Sequence, residues 1–182
     1  MGIGVDIKDL RGFRLPTEEE KEKYGKECIA KIKSELIPNL IWLIIISPVC
    51  VLTWLTLIGY VTNENLLLNG EFMVMVLAVL CISVVEYFLV SSRNSSRLRI
   101  KDLKEGSFWV LDCKVYDVNL ITDTTGGEVF IETLTDQKCR YGFIVGTDLA
   151  TECYKCIKNS SNGDYVPLVL VGCCFEYWVL RR

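Results

Sequence analysis

Two long apolar runs constrain the fold of this chain more than any other feature of its sequence. Residues 39–61 carry no charged side chain, and residues 72–92 carry one, Glu86. At about 1.5 Å per residue, a helix formed by either run exceeds the roughly 30 Å hydrocarbon layer of a bilayer. The sequence therefore predicts two transmembrane helices, and the ten residues between them (62–71) predict a short external loop that makes the helices antiparallel neighbours.

The basic residues around these runs predict their orientation. Lys31 and Lys33 precede the first run, five Lys or Arg residues lie between positions 93 and 104, and the connecting segment has none. Because basic residues are retained on the cytoplasmic side, we expect a multi-pass protein of the cell membrane with both termini in the cytoplasm. The first 38 residues are rich in charge and lack the apolar core of a cleavable signal peptide, so the first span is expected to act as the targeting signal.

The N-terminal segment, residues 1–38, contains the pattern of an amphipathic helix. Thr17 and Glu20 have the spacing of a capping box, which predicts a helix start near residue 17. Apolar residues then recur every fourth position, at Tyr24, Cys28, Ile32 and Leu36. We interpret residues 17–36 as a packed surface helix; a helix lying along the membrane, or one pairing with a partner, has the same pattern.

Residues 93–182 predict a small cytoplasmic β domain. Trp109, Leu111, Cys113 and Val115 alternate with other residues, which indicates a strand with one buried face. The runs 128–134 and 139–145 flank Asp136 and predict a hairpin, and residues 122–127 form a turn cluster. A short helix is expected over 147–158, followed by turn residues 159–163.

Two last strands are expected over 165–171 and 174–180, joined by a tight turn at Gly172-Cys173. About five strands and one helix favour a closed or nearly closed β-barrel of the OB-like or SH3-like kind. The predicted fold class is therefore an α+β membrane protein, in which an amphipathic helix precedes a two-helix transmembrane hairpin and a small β-barrel-like domain follows it.

The composition excludes several classes of function. A net charge of -3 provides no basic field that would attract nucleic acid. The chain has no histidine, so the commonest general base and the commonest metal ligand are missing. The sequence also offers no Gly-rich phosphate loop and no nucleophile-plus-base pattern. We therefore expect no enzymatic activity, no catalytic or cofactor-binding residues, and no nucleic-acid partner.

Nine cysteines supply the strongest candidate chemistry. Their odd number, with Cys50 and Cys81 inside the apolar runs, argues against a secreted disulfide framework. Outside those runs, a C-x-x-C pair and an adjacent pair could together form a zinc site of four thiolates: Cys153, Cys156, Cys173 and Cys174. The C-x-x-C pair alone could be redox-active. Thiols that simply pack in the core are favoured, because the first pair lies on a predicted helix and neighbouring side chains of a strand point apart.

Glu86 and a cluster of aromatic residues are the remaining candidates. A carboxylate in a spanning helix is costly, so Glu86 is a functional candidate by default. Its position two turns before Arg93 favours snorkelling to water or pairing with an arginine, with an ion pathway or a contact between helices as the alternative. Phe175, Tyr177 and Trp178 could form a recognition surface, although filling of the barrel core is favoured.

These observations favour a non-enzymatic membrane protein. The cytoplasmic β domain is expected to serve as a module for protein interaction or self-assembly, with the lipid bilayer and a protein partner or further copies of the chain as its contacts. One alternative is a subunit of an oligomeric channel or transporter that uses Glu86. The other is a zinc or thiol domain that uses the C-x-x-C pair.

Overall fold

A computed structural model of the chain describes residues 4–62, 70–121, 126–159 and 165–182. Most of the predicted loop at 62–71, most of the turn cluster at 122–127 and most of the turn at 159–163 lie outside these residues. The chain divides into two compact units. One contains residues 1–28 together with 102–182, and the other contains residues 29–101.

Two long helices account for the predicted spans. Helix α1 covers Glu18–Val61 and helix α2 covers Gly70–Glu105. Both are long and apolar enough to cross a bilayer. The predicted amphipathic helix and the first span are one continuous helix, which passes through both Pro38 and Pro48. A proline removes one backbone hydrogen bond but leaves those of the neighbouring turns in place, so a long helix can continue through it.

The two helices meet through small and polar side chains in the unit formed by residues 29–101. Trp54 Nε1 donates a hydrogen bond to Ser83 Oγ at 3.1 Å, and Cys50 Sγ lies 3.7 Å from the same oxygen. Asn39 Nδ2 donates to Ser92 Oγ at 3.4 Å. Apart from Val79, which is buried, most large apolar side chains of the two helices are exposed, and only 6% of the most apolar stretch of each helix is buried.

The β domain is a five-stranded, antiparallel, nearly closed sheet with the strand order β3-β2-β1-β4-β5. Its elements in chain order are β1 (Trp109–Ile121), β2 (Gly126–Thr133), β3 (Phe143–Gly146), α3 (Thr147–Asn159), β4 (Pro167–Cys173) and β5 (Glu176–Arg181). The strand and helix content of the prediction is confirmed. Strand β3 begins four residues later than the predicted run at 139–145, because Cys139 instead forms an isolated bridge with Val5 of the N-terminal segment.

One face of the sheet forms the main core. Alternate residues of β1 and β4 point into it, where helix α3 contributes Ala150 and Cys153. Leu10 from the N-terminal segment also belongs to this core. The sheet residues that fill the core include Leu111, Cys113, Val115, Val129, Ile131, Leu168, Leu170 and Val179.

The opposite face of the sheet is also buried, which the period-two pattern did not indicate. Val110, Val169 and Val171 are fully buried although they alternate with the main-core residues. The N-terminal turns of α1, the C-terminal turn of α2 and the connection from α2 to β1 supply further buried side chains in the same unit: Tyr24, Cys28, Leu103 and Phe108. The domain therefore has a layer of helix ends on one side of its sheet and α3 on the other.

Helix α2 ends in a Schellman motif. Gly106 has a φ of 73°, and its N–H donates to the Leu103 carbonyl, while the Ser107 N–H donates to the Asp102 carbonyl at 2.8 Å. Because glycine adopts a positive φ without steric cost, Gly106 allows the chain to turn sharply from α2 into β1. The capping geometry places Asp102 in the last turn of the helix.

The last hairpin turns two residues later than the sequence predicts. Cys173 pairs with Glu176, so the two loop residues are Cys174 and Phe175, with φ values of 48° and 74°. Positive φ at both positions is typical of a type I′ turn, which usually contains Asn or Gly. Gly172, the predicted turn residue, lies inside β4 opposite Tyr177.

Candidate functional site

A groove of about 510 Å³ opens at the end of the main-core face, beside the β4–β5 turn. Its lining includes Ile7, Lys8 and Phe13 of the N-terminal segment, Trp109 at the start of β1, and Phe175 and Tyr177 of the hairpin. Gly172, Cys173 and Cys174 complete the lining. Concave, mainly apolar surfaces with few polar groups are the usual form of a binding site.

Gly172 makes room for the ring of Tyr177 in this groove. A Cβ atom on Gly172 would lie 2.9 Å from Cε1 and 3.1 Å from Cδ1 of Tyr177. The Tyr177 ring in turn lies 6.3 Å from the ring of Phe13, at an interplanar angle of 47°. The groove therefore combines a strand residue with a side chain from the N-terminal segment, which is distant in sequence.

Phe175 and Trp109 are large aromatic residues that the fold leaves in solvent. Phe175 is 96% exposed at the tip of the hairpin, and Trp109 is 52% exposed at the start of β1. The preferred prediction that Phe175 fills the core is wrong, because the turn holds it outside the sheet. Trp109 was also assigned to the buried face, but it lies at the end of that face, beyond the residues that α3 covers.

The N-terminal segment is held against the sheet by Arg14. Its backbone N–H donates to the Val110 carbonyl at 3.0 Å and its carbonyl accepts from the Val110 N–H at 2.9 Å. Its guanidinium donates to both carboxylate oxygens of Glu20 at 2.6 Å and to Asp112 at 3.2 Å. This arrangement positions Phe13 in the groove.

The predicted capping box supports the same arrangement. The Thr17 N–H donates to Glu20 Oε2 at 2.8 Å, and the Glu20 N–H donates to Thr17 Oγ1 at 3.3 Å. The hydrogen bond from Arg14 to Glu20 is the main cause that lowers the pKa of the Glu20 carboxyl to about 2. Glu20 therefore remains ionised throughout the physiological pH range.

The structure separates the two cysteine pairs of the predicted zinc site. Cys153 belongs to the main core and Cys156 packs against it. Cys173 alternates with the main-core residues Leu168 and Leu170 and so points to the other face of the sheet. The four thiols are therefore not brought together, since the sheet lies between the two pairs.

Cys153 also lacks the character of a reactive thiol. Its burial raises its pKa to about 11, which disfavours the thiolate that redox chemistry requires. The structure describes all nine cysteines, and none of them forms a disulfide. Cys113, Cys139 and Cys153 are small residues of the main core, whereas Cys28, Cys50 and Cys81 lie on the two long helices.

Cys173 and Cys174 form a different cluster, with Asp102. Cys173 Sγ lies 3.8 Å from Cys174 Sγ, and Cys174 Sγ lies 2.9 Å from Asp102 Oδ2. Among the residues that the structure describes, these three form the one group of at least three side chains with the spacing of metal ligands. No motif in the sequence indicated Asp102, because it is contributed by the end of α2, some seventy positions earlier.

Glu86 lies at the seam between the two long helices. Its side chain is half-buried and lies near the Cys50 thiol of α1. Ser83 lies one turn earlier on the same side of α2 and contacts the same thiol.

Comparison with known proteins gives no relative: no protein-family model, curated protein or solved structure matches this chain.

Proposed function

We propose that this chain is an integral membrane protein whose two long helices anchor the β domain at the cytoplasmic face of the cell membrane. In this proposal the domain acts without catalysis and binds a partner protein, or a second copy of the chain, through the aromatic groove. The anchor and the groove are supported by separate observations.

The distribution of side chains on α1 and α2 supports membrane insertion. In a soluble helix pair the large apolar residues are buried and the polar residues are exposed. Here the seam holds Asn39, Cys50, Ser83 and Ser92, whereas large apolar side chains face outward along both helices. In a bilayer, close packing through small polar residues with apolar residues toward lipid is the expected arrangement.

The single observation that carries the interaction proposal is the exposure of Phe175 beside the groove. The exposed phenylalanine has two energetic costs. Its apolar ring is in contact with water, and its backbone has a positive φ, which is strained for residues other than glycine. Aromatic residues next to a concave apolar surface are typical of the centres of protein interfaces. A partner that covers Phe175 would remove the first of these costs.

The test is site-specific photo-crosslinking in native membranes. A photo-reactive phenylalanine analogue replaces Phe175, and the same analogue at Ile144, which is 81% exposed on β3 outside the groove, serves as the matched control. Mass spectrometry after mild detergent extraction identifies the crosslinked species. The proposal predicts that one protein, either a different protein or a second copy of the chain, crosslinks in stoichiometric amount to the analogue at position 175 and not to the analogue at position 144. An identical pattern at both positions, or substrate turnover by the purified chain, would contradict it.

A channel or transporter subunit is the second candidate, and the contact between Glu86 and Cys50 is the observation that favours it. An ionisable side chain between spanning helices is a feature of ion pathways. If the chain is such a subunit, vesicles reconstituted with it should show ion flux, and the Glu86→Gln substitution should change the rate of that flux. Flux that is absent, or that is identical in the variant, would exclude it.

A further inference from the structure

Asp102, Cys173 and Cys174 come together where the end of α2 meets the β4–β5 turn. All three ligand atoms lie within 4.8 Å of one another. Cys173 is buried and Cys174 is exposed, so the cluster has one side in the domain and one side in solvent. We propose that these three side chains bind a divalent cation of the zinc class, at a site that does not depend on the proposed groove function.

The separation of the two sulfur atoms is that of zinc ligands. Two Zn–S bonds of about 2.3 Å at a tetrahedral angle place the sulfurs about 3.8 Å apart, and Cys173 Sγ and Cys174 Sγ are 3.8 Å apart. The Asp102 oxygen is 2.9 Å from Cys174 Sγ. A shared cation needs roughly 3.5 Å between these atoms, which a small rotation of the solvent-exposed Cys174 side chain provides.

The backbone of the turn explains how adjacent cysteines can share a cation. Neighbouring residues in a strand point to opposite faces of the sheet. Cys173 is the last residue of β4, but Cys174 has a φ of 48° and is the first residue of the turn. This left-handed conformation directs its thiol back toward Cys173. A non-glycine residue with positive φ is strained, and such strain is concentrated at functional sites.

The charges and the ligand types favour a borderline or soft divalent cation. Binding to two thiols and a carboxylate releases one proton from each thiol and forms two metal–thiolate bonds and one metal–carboxylate bond. Mg²⁺ and Ca²⁺ prefer oxygen ligands alone, whereas thiolates select zinc-like ions. Asp102 also lies in the last turn of α2, where the helix dipole favours positive charge. Three protein ligands leave a fourth position for water or for a group from a partner.

The experiment is a titration of the full chain, in detergent micelles and freed of metal by a chelator, with Co²⁺ as a spectroscopic substitute for zinc. We expect one equivalent to bind, with thiolate-to-metal charge-transfer bands and the visible bands of tetrahedral Co²⁺. Cys174→Ser should weaken binding at least tenfold and reduce the charge-transfer intensity. Asp102→Asn should weaken binding about tenfold while the thiolate bands remain.

Cys156→Ser is the control, because Cys156 packs against the other face of the sheet. It should bind Co²⁺ as the unmodified chain does. Thermal unfolding without metal verifies that each variant is folded; Cys174 is exposed and Asp102 is not in the core, so both substitutions leave the packing in place. Absence of thiolate bands in the unmodified chain, or unchanged affinity in Cys174→Ser, would overturn the proposal. Loss of binding in Cys156→Ser would also overturn it.

Discussion

A Cβ atom on Gly172 would lie 2.9 Å from Cε1 of Tyr177, its partner across the β4–β5 ladder. The ring of Tyr177 therefore occupies space that a side chain at position 172 would need, which accounts for a glycine inside β4. The turn itself falls on Cys174 and Phe175, whose positive φ values are unfavourable for residues other than glycine. Gly172 and Tyr177 both line the groove.

Gly172→Ala should destabilise the β domain. The new methyl group collides with the Tyr177 ring, and such overpacking costs roughly 1–3 kcal/mol. Hydrogen exchange of β4 and β5 amides, measured by mass spectrometry on the full chain in micelles, reports the change in local unfolding free energy. Gly146→Ala is the matched control, because no atom lies within 4 Å of a Cβ added there. Equal protection of the β4 and β5 amides in Gly172→Ala and Gly146→Ala would show that Gly172 is not needed to accommodate the Tyr177 ring.

Phe175→Gly should stabilise the same hairpin and weaken partner binding. Phe175 has a φ of 74°, a conformation that glycine adopts without steric cost. Replacing the phenylalanine with glycine should therefore stabilise the turn by about 1 kcal/mol. We expect slower hydrogen exchange in β4 and β5, and less of the partner should co-purify with the variant after mild detergent extraction. Ile144→Gly, which removes an exposed side chain from a regular strand, should instead lower the stability. A loss of protection in Phe175→Gly would contradict the assigned turn conformation.

Acid should weaken the attachment of the N-terminal segment through Glu20. The pKa of Glu20 is lowered from 4.5 to about 2, first by the hydrogen bond from Arg14. Its stabilising effect is therefore complete above about pH 4.5 and is lost as the pH falls toward 2. Because Arg14 is partly exposed, we expect roughly 1–2 kcal/mol rather than the full value of the shift.

The measurement is unfolding of the chain as a function of pH. Glu20→Gln should be less stable than the unmodified chain at pH 6, and the difference should shrink at pH 3. Glu19→Gln removes the same charge from the same helix turn at an exposed position and should have little effect. A difference that is independent of pH would show that the ion pair contributes nothing to stability.

Ser83→Cys should form a disulfide with Cys50 under mild oxidation, because Ser83 Oγ lies 3.7 Å from Cys50 Sγ. Mass spectrometry of peptides from oxidised membranes would detect the bond within one chain. Val84→Cys is the control, since Val84 is adjacent in sequence but faces away from the seam. Crosslinking that is equally efficient at both positions would contradict the described packing of α1 on α2.

The order of elements could be predicted from the sequence because it depends on local signals. Two uncharged runs, a capping box at Thr17 and Glu20, and the alternation of Leu111, Cys113 and Val115 each follow from the chemistry of a short stretch of chain. Of the predicted stripe, Tyr24, Cys28 and Ile32 are buried, and Leu36 is half-buried. Continuity of α1 through Pro38, which joins the predicted amphipathic helix to the first span, was missed, since proline is usually a helix boundary in soluble proteins.

The candidate sites could not be predicted, because residues far apart in sequence form them. Phe13 reaches the groove through the pairing of Arg14 with Val110, which has no local signature. Asp102 meets Cys174 only because α2 extends to Glu105 and then turns sharply at Gly106. The sequence analysis assigned Cys153 and Cys173 to one zinc site on the basis of their spacing, but strand alternation places them on opposite faces of the sheet.

The most direct test of the account is the labelling of cysteines from outside intact cells with a membrane-impermeant maleimide. Asn65→Cys introduces a thiol into the segment between the two helices, and Cys174 supplies an exposed thiol on the β domain. A cytoplasmic domain anchored by two spanning helices predicts that Asn65→Cys reacts in intact cells and that Cys174 reacts only after permeabilisation. Labelling of Cys174 in intact cells, or release of the chain from membranes by alkaline carbonate, would contradict that account.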